Sequence, residues 1–122
     1  MEITFNFDKV HKILYKRYSG EITYTDFESS WMEVIRQSNA HFEARGFLLD
    51  YTRADMTTLT NEVNKIAEFF HSHLSLFGSK KIAFIASTPE QIVIPMLLHE
   101  YDLNYQSRSF STVEAAEKWI IE

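Results

Sequence analysis

The chain has 122 residues, of which 45% are hydrophobic and 24% are charged, proportions typical of one globular domain over residues 1–122 and not of a disordered chain. Twelve basic and seventeen acidic residues give a formal net charge of −5, which disfavours nucleic acid as a partner because phosphate backbones would be repelled. The chain has no cysteine, which excludes disulfides, iron–sulfur clusters and cysteine-ligated zinc.

Two segments bear on location. Residues 1–8 (MEITFNFD) have neither the positive charge nor the apolar run of a signal peptide, so we expect a cytoplasmic protein. The longest strongly apolar stretch, residues 92–98 (IVIPMLL), is too short to span a bilayer. We therefore expect no integral membrane association.

The first half of the chain predicts a β-hairpin, a helix and a buried strand. Residues 3–7 alternate between apolar and polar side chains, and residues 13–18 predict a second strand that pairs antiparallel with the first. A capping box that begins at Thr25 (TDFE) predicts a helix that runs to about Ser38–Asn39. Residues 46–49 (GFLL) are typical of a strand covered on both faces.

The next part predicts a long helix and a second buried strand. We expect the helix to begin with a cap at Thr60 and to stop at Gly78, with a stripe of apolar residues on one face. Residues 82–86 (IAFIA) predict the strand. Thr88, followed by Pro89 and by a glutamine three residues on, has the pattern of a helix N-terminus.

Pro95 is expected to kink or divide this third helix, because proline lacks a backbone donor. Residues 105–110 predict a final edge strand, and Ser111 (STVE) predicts the cap of a closing helix. The order of elements therefore predicts an α/β fold: a mixed β-sheet with an N-terminal antiparallel hairpin, parallel strand pairs and about four helices.

Three segments resemble a known fold family. They are residues 18–23 (YSGEIT), residues 46–50 (GFLLD) and residues 114–120 (EAAEKWI). With the order of elements, they resemble the SpoIIAA-like fold of sulfate-transporter and anti-sigma-antagonist (STAS) domains, and more narrowly the small stand-alone bacterial proteins described as STAS/SEC14-like. The resemblance implies a non-enzymatic regulatory or protein-interaction module.

The chain departs from that family at one position that matters for function. Regulatory antagonists of this fold carry a phosphorylatable serine in a DSSG-like turn after the central strand. The corresponding residues 50–60 hold no serine and no glycine. Thr57, Thr58 and Thr60 place hydroxyl groups there, and we interpret them first as helix caps and second as phosphorylation sites.

Polar residues predict a rim for a ligand or partner where two parallel strands end, because ligands of open α/β sheets bind beyond the carboxyl ends of strands. The amides at the start of the third helix would favour an anion there. The alternative is that the two aspartates accept loop amides while the arginine pairs with one of them. The rim residues are Asp50, Arg53, Asp55, Thr57, Thr58, Ser87 and Thr88.

A second candidate surface is apolar. The second and third helices carry more apolar residues than their core-facing stripes need, which predicts an exposed patch for a protein partner or a homodimer. The residues in surplus are Phe69, Leu76, Met96 and Tyr101. The alternative is that these helices are buried more deeply. A competing function is the binding of a small anionic or amphipathic ligand in a cleft between the two helices, which Pro95 would open.

Other chemistry is not supported by the pattern of residues. His71 and His73 lie about 200° apart around a helix and cannot share a metal, so we predict no metal site and no cofactor. No motif joins a serine to a base, so we predict no enzyme activity. Lys9, Lys12, Lys16 and Arg17 are interpreted as solvent-exposed charges on the hairpin.

Overall fold

A five-stranded mixed sheet forms the centre of the fold. The computed structural model describes residues 2–37, 43–98 and 106–122. The strands lie in chain order across the sheet: β1 (Glu2–Asp8), β2 (Ile13–Glu21), β3 (Gly46–Asp55), β4 (Lys81–Ile85) and β5 (Gln106–Phe110). β1 and β2 form an antiparallel hairpin, and every later neighbour pair is parallel. The predicted mixed sheet with its N-terminal hairpin is confirmed.

Six helices connect and follow these strands within the described ranges. They are α1 (Tyr24–Gln37), α2 (Thr57–Thr60), α3 (Val63–Ser72), α4 (Leu74–Phe77), α5 (Pro89–Leu98) and α6 (Val113–Ile121). The predicted ends of two elements, Ser38–Asn39 and Tyr105, lie outside the described residues. α5 continues through Pro95, so the proline does not divide it.

The single long helix predicted from Thr60 to Gly78 is wrong. Thr60 ends α2, where its hydroxyl donates to the Met56 carbonyl at 2.8 Å, so it is not the cap of the next helix. His73 (φ −123°, ψ 40°) leaves the helical region and separates α3 from α4, which ends before Gly78 as expected. The apolar pattern concealed both breaks because all three segments bury side chains in the same core.

Two of the predicted caps are displaced. α1 begins with a reciprocal cap between Thr23 and Asp26, two residues before the predicted box. At the start of α6, the hydroxyl of Thr112 and not that of Ser111 accepts from the Ala115 amide. The cap at Thr88 is confirmed, since its hydroxyl accepts from the amide three residues on. Where several neighbouring hydroxyl residues could cap a helix, the residue at which the chain leaves the sheet determines which of them does so.

The two faces of the sheet are covered unequally. On one face α1, α3, α4 and α5 enclose an aromatic core in which the Trp31 ring packs edge-on against Phe47 and Phe77. On the other face α6 packs against β3, β4 and β5 through Ala116 and Ile120. Each large apolar side chain buried in this way contributes about 1.5–3 kcal/mol.

β3 and β4 lie between these layers, as predicted. Leu48 pairs with Ala83, Leu49 pairs with Phe84, and all four side chains are buried. α6 reaches β2 of the hairpin through Ile13 and Tyr15, but it leaves the same face of β1 uncovered, where Thr4 and Asn6 are exposed. The fold therefore leaves an uncovered part of the sheet beside α6.

Candidate functional site

A cavity of about 390 Å³ lies in this uncovered part of the sheet. Strand alternation brings side chains from three neighbouring strands to one face, and the first residue of α6 closes one end. Its volume falls within the range of about 300–1,000 Å³ that is usual for small-molecule sites. Phe5 and Lys16 also border the cavity, but their side chains pack on the opposite face of the sheet. The other lining residues are Thr4 and Asn6 of β1, Tyr15 and Arg17 of β2, Leu48 and Asp50 of β3, and Val113 of α6.

Asp50 is the most enclosed charged group in the cavity, with a side chain that is 14% exposed. It accepts hydrogen bonds from the Thr52 amide (2.9 Å) and the Thr52 hydroxyl (2.7 Å), both on Oδ1. Its Oδ2 faces Arg17 Nε at 3.7 Å, beyond hydrogen-bond distance. One carboxylate oxygen is therefore held in place while the other is left to face the cavity.

Tyr15 connects the sheet to α6 at the cavity wall. Its hydroxyl donates to Glu117 Oε2. Burial, with the neighbouring Glu117 carboxylate, raises the pKa of Tyr15 above its usual value. The phenol therefore stays protonated and acts as a donor over the whole physiological range.

Asp50 is the one residue of the predicted rim that lines this cavity. Asp50 lines the cavity, whereas Arg53, Asp55, Thr57 and Thr58 are exposed residues farther along the chain. The strand continues to Asp55 instead of ending before Asp50, and its register with β2 shifts by one residue beyond Arg17. Alternation along this longer strand separates side chains that the sequence places together.

The aspartates accept local amides, as in the alternative interpretation. Asp55 accepts from the Thr57 amide at 3.0 Å, and these hydrogen bonds from Thr57 lower the pKa of the Asp55 carboxyl. The cation opposite Asp50 is Arg17 of the neighbouring strand, not Arg53.

The amides at the start of α5 are occupied by the protein itself. Oε1 of the buried Gln91 accepts from the Ser87 amide (2.8 Å) and the Thr88 amide (3.3 Å). Its Nε2 donates to the carbonyls of Thr52 (3.2 Å) and Ala54 (3.1 Å). Gln91 therefore ties α5 to the end of β3 and takes the place that the predicted anion would have filled.

The predicted apolar interface is only partly at the surface. Phe69 and Leu76 are buried, and Phe69 packs edge-on against Phe27 at a centroid distance of 5.5 Å. Met96 is 57% exposed on α5, and Tyr101 lies outside the described residues. The sequence interpretation missed Ile92, which is 41% exposed one turn before Met96. The apolar character of nearly every position in α5 was the available signal.

Lys16 is the clearest error among the predicted surface charges. It is 1% exposed, donates to Ser30 Oγ at 2.5 Å, and has its Nζ 3.9 Å from the centroid of the Trp31 ring. Burial lowers the pKa of the Lys16 amine well below its usual value. The alternation of side chains along a β-strand predicts this placement, because Lys16 shares its face of β2 with Leu14 and Tyr18.

Two features of the described ranges bear on other functions. None of the helices there combines the length and apolar composition that crossing a membrane requires. Among the same residues, no three histidine, aspartate or glutamate side chains come together in a group suited to a metal ion.

Comparison with known proteins identifies the fold. Neither a protein-family model nor a curated protein sequence matches the chain. A crystal structure from Shewanella loihica PV-4, of an uncharacterized protein from the DUF3478 family with a SpoIIAA-like fold, is similar with a TM-score of 0.63 and 18% sequence identity. The similarity covers 97% of this chain and 93% of that chain. The chain therefore has a SpoIIAA-like fold, as the sequence motifs predict.

Proposed function

We propose that this protein is a non-enzymatic interaction module of STAS-like type that associates with a second copy of itself through the outer face of α5. The single observation that carries the proposal is the pair of exposed apolar side chains, Ile92 and Met96, one turn apart on that helix. The SpoIIAA-like fold supports an interaction role as an analogy of fold.

α5 is apolar on its outer face as well as on its inner face. Ile94 and Leu98 are buried against the core, while Ile92 and Met96 point outward. A helix that is apolar all round is normally buried, and a contiguous exposed apolar surface usually marks a binding site. The outer face of α5 therefore has the composition of a surface that a partner covers.

The charge distribution favours a second copy of this chain as the partner. The chain carries a net charge of −5, yet the only charged residue of α5 is Glu90, in its first turn. Two such faces can therefore meet without apposing like charges. In a two-fold contact between antiparallel helices, Ile92 would pack against Met96 of the partner subunit, and the reverse contact would follow by symmetry.

A non-enzymatic role fits the chemistry of the cavity. Tyr15 lines the cavity, and burial raises the pKa of its hydroxyl, which donates to Glu117. A phenol held protonated in this way is a poor nucleophile. Tyr15 thus serves the cavity as a hydrogen-bond donor that can orient a ligand rather than as a group that attacks one.

Sedimentation equilibrium of the purified protein and of Met96→Glu tests this proposal. We expect the wild type to have the mass of a dimer and Met96→Glu to have the mass of a monomer, because the interface would bury an unpaired carboxylate. Met32→Glu is the matched control, since Met32 is an exposed methionine on α1. It is expected to stay dimeric.

A monomeric wild type at all accessible concentrations would overturn the proposal. So would a Met96→Glu variant that stays dimeric, or a Met32→Glu variant that dissociates equally. Far-UV circular dichroism establishes that each variant is folded, and Ile92→Glu provides a second variant of the same face.

A further inference from the structure

We propose that the cavity beside α6 is a binding site for a small organic cation, a protonated amine attached to an apolar body, with Asp50 as the residue that recognises the amine. This inference concerns the face of the sheet opposite to α5, so it is independent of the proposed self-association. It rests on the state of the Asp50 carboxylate, the apolar wall of the cavity and the balance of charge around it.

The Asp50 carboxylate is oriented but incompletely paired. Thr52 donates twice to Oδ1 and thereby fixes the plane of the carboxylate. Oδ2 has Arg17 Nε at 3.7 Å, an ion pair too long for a hydrogen bond. A carboxylate with so little solvent gains most from a donor that reaches it directly, and an ammonium group supplies a charge-assisted hydrogen bond.

The position of Arg17 leaves room for such a donor. Its side chain is 67% exposed, so the guanidinium can swing into solvent without losing a buried contact. An arginine that holds a carboxylate firmly does so with two parallel hydrogen bonds, and this contact has none. A ligand amine therefore replaces a long and solvent-exposed ion pair with a short and enclosed one.

Apolar groups provide the site for the rest of the ligand. The buried Leu48 forms the floor of the cavity, and Val113 closes the end beneath α6. The aromatic ring of Tyr15 lies on the same wall, and an aromatic face attracts cations as well as apolar groups. A volume of about 390 Å³ suits a body no larger than one or two rings.

The surrounding charges favour a cation over an anion. The lining also includes Lys16, but its amine is buried on the opposite face of β2 against Ser30 and the Trp31 ring. Besides Arg17, the charged groups that act at the cavity wall are Asp50 in the lining, and Glu117 and Asp8, which both act on Tyr15. The partial positive charge at the N-terminus of α6 is opposed by Glu114 in its first turn. An anionic ligand would meet more negative than positive charge here.

Three probes of the same shape test the charge preference directly. Phenethylamine, 2-phenylethanol and phenylacetate share an aromatic body and differ in carrying a cation, a neutral hydroxyl or an anion. We expect phenethylamine to produce saturable shifts in the amide resonances of Leu48, Asp50 and Val113 in ¹H–¹⁵N correlation spectra. The other two probes are expected to bind at least tenfold more weakly.

Asp50→Asn tests the role of the carboxylate. Asparagine retains an oxygen to accept from Thr52 and removes the charge, so we expect the variant to fold and to bind phenethylamine at least about tenfold more weakly, the lower end of what one charge-assisted hydrogen bond contributes. Glu90→Gln is the matched control, because it removes an exposed carboxylate from α5, and we expect it to bind as the wild type does.

Several results would overturn the inference. They are the absence of saturable shifts with phenethylamine, equal binding of phenethylamine and phenylacetate, and unchanged binding by Asp50→Asn. Shifts confined to α3 and α5 would equally refute the assignment to this face. If Asp50→Asn does not fold, the comparison of the three probes on the wild-type protein still decides the question.

Discussion

Replacing Lys16 with methionine removes a buried amine while keeping an unbranched side chain of similar length. The amine lies between Ser30 and the Trp31 ring, and within the described ranges no carboxylate forms an ion pair with it. Ser30 also donates to the Phe27 carbonyl at 3.0 Å, so its hydroxyl keeps a partner after the substitution. We expect Lys16→Met to be more stable than the wild type near pH 7, by about 1–4 kcal/mol.

The pH dependence gives the sharper magnitude. Burial lowers the pKa of Lys16 in the folded chain, while the unfolded chain keeps the usual value of about 10.5. Between these two values the unfolded chain binds one more proton at Lys16, so this residue makes the wild-type stability rise with pH by about 1.4 kcal/mol per pH unit. Stability is lost as the pH falls toward the folded pKa. Lys16→Met lacks this dependence.

Urea unfolding at several pH values between 7 and 9.5, followed by circular dichroism, measures the difference. Tyrosines begin to titrate in the unfolded chain near the top of this range, since burial raises the pKa of Tyr24 to about 12 only in the folded chain, but this affects wild type and Lys16→Met equally and cancels in their difference. Lys9→Met is the control, since Lys9 is an exposed lysine in the hairpin turn. It is expected to follow the wild type within about 0.5 kcal/mol at each pH.

If wild type and Lys16→Met show parallel pH profiles, the amine is not desolvated in the folded state and the reasoning is wrong. A loss of several kcal/mol in Lys16→Met at pH 7 would show instead that the contacts with Ser30 and Trp31 outweigh the burial of the charge.

Two further substitutions test how the elements around the site are held. Gly46→Ala would place a Cβ 2.6 Å from Ile120 and 2.8 Å from the Lys81 carbonyl oxygen. We therefore expect the free energy of unfolding, measured with urea, to fall by about 1–3 kcal/mol. An unchanged unfolding midpoint would contradict the close approach of α6 to β3. Gln91→Leu, with a side chain of nearly equal size, is expected to lower the free energy of unfolding by about 1–3 kcal/mol, because two carbonyls at the end of β3 lose a buried donor. Gln37→Leu is the control, since Gln37 is exposed, and it should lower the free energy of unfolding by less than about 0.5 kcal/mol. Equal effects of these two glutamine substitutions would show that Gln91 does not hold α5 to the sheet.

Much of the fold could be predicted because its signals are local. The alternation in residues 3–7 and the continuous apolar runs at 47–49 and 82–86 identify strands without reference to any distant residue. Helix boundaries were harder. The break at His73 depends on a backbone conformation that the apolar pattern does not record, since α3 and α4 bury residues in one core on both sides of it.

The candidate site was predicted less well, because its members come from strands that are neighbours in space. Asp50 was identified from its position after a buried run, but its companions were taken from the residues that follow it and from Ser87 and Thr88 beyond the next strand. The actual companions, Tyr15 and Arg17, lie on β2, and only the parallel register between β2 and β3 brings Arg17 opposite Asp50. The burial of Lys16, by contrast, could have been predicted from the alternation of side chains along β2. It was overlooked because the charge of the residue was given more weight than its position in that alternation.

The sequence by itself determined the order of the strands, the hairpin and the two strands buried on both faces, since each of these follows from periodicities within a few residues. The tertiary structure alone decided that one face of the sheet is covered by several helices and the other by α6, which leaves a cavity at Asp50. It also decided that Gln91 occupies the amides at the start of α5. The physical reason is that local pattern sets which side chains share a face, whereas packing between distant segments sets what covers that face.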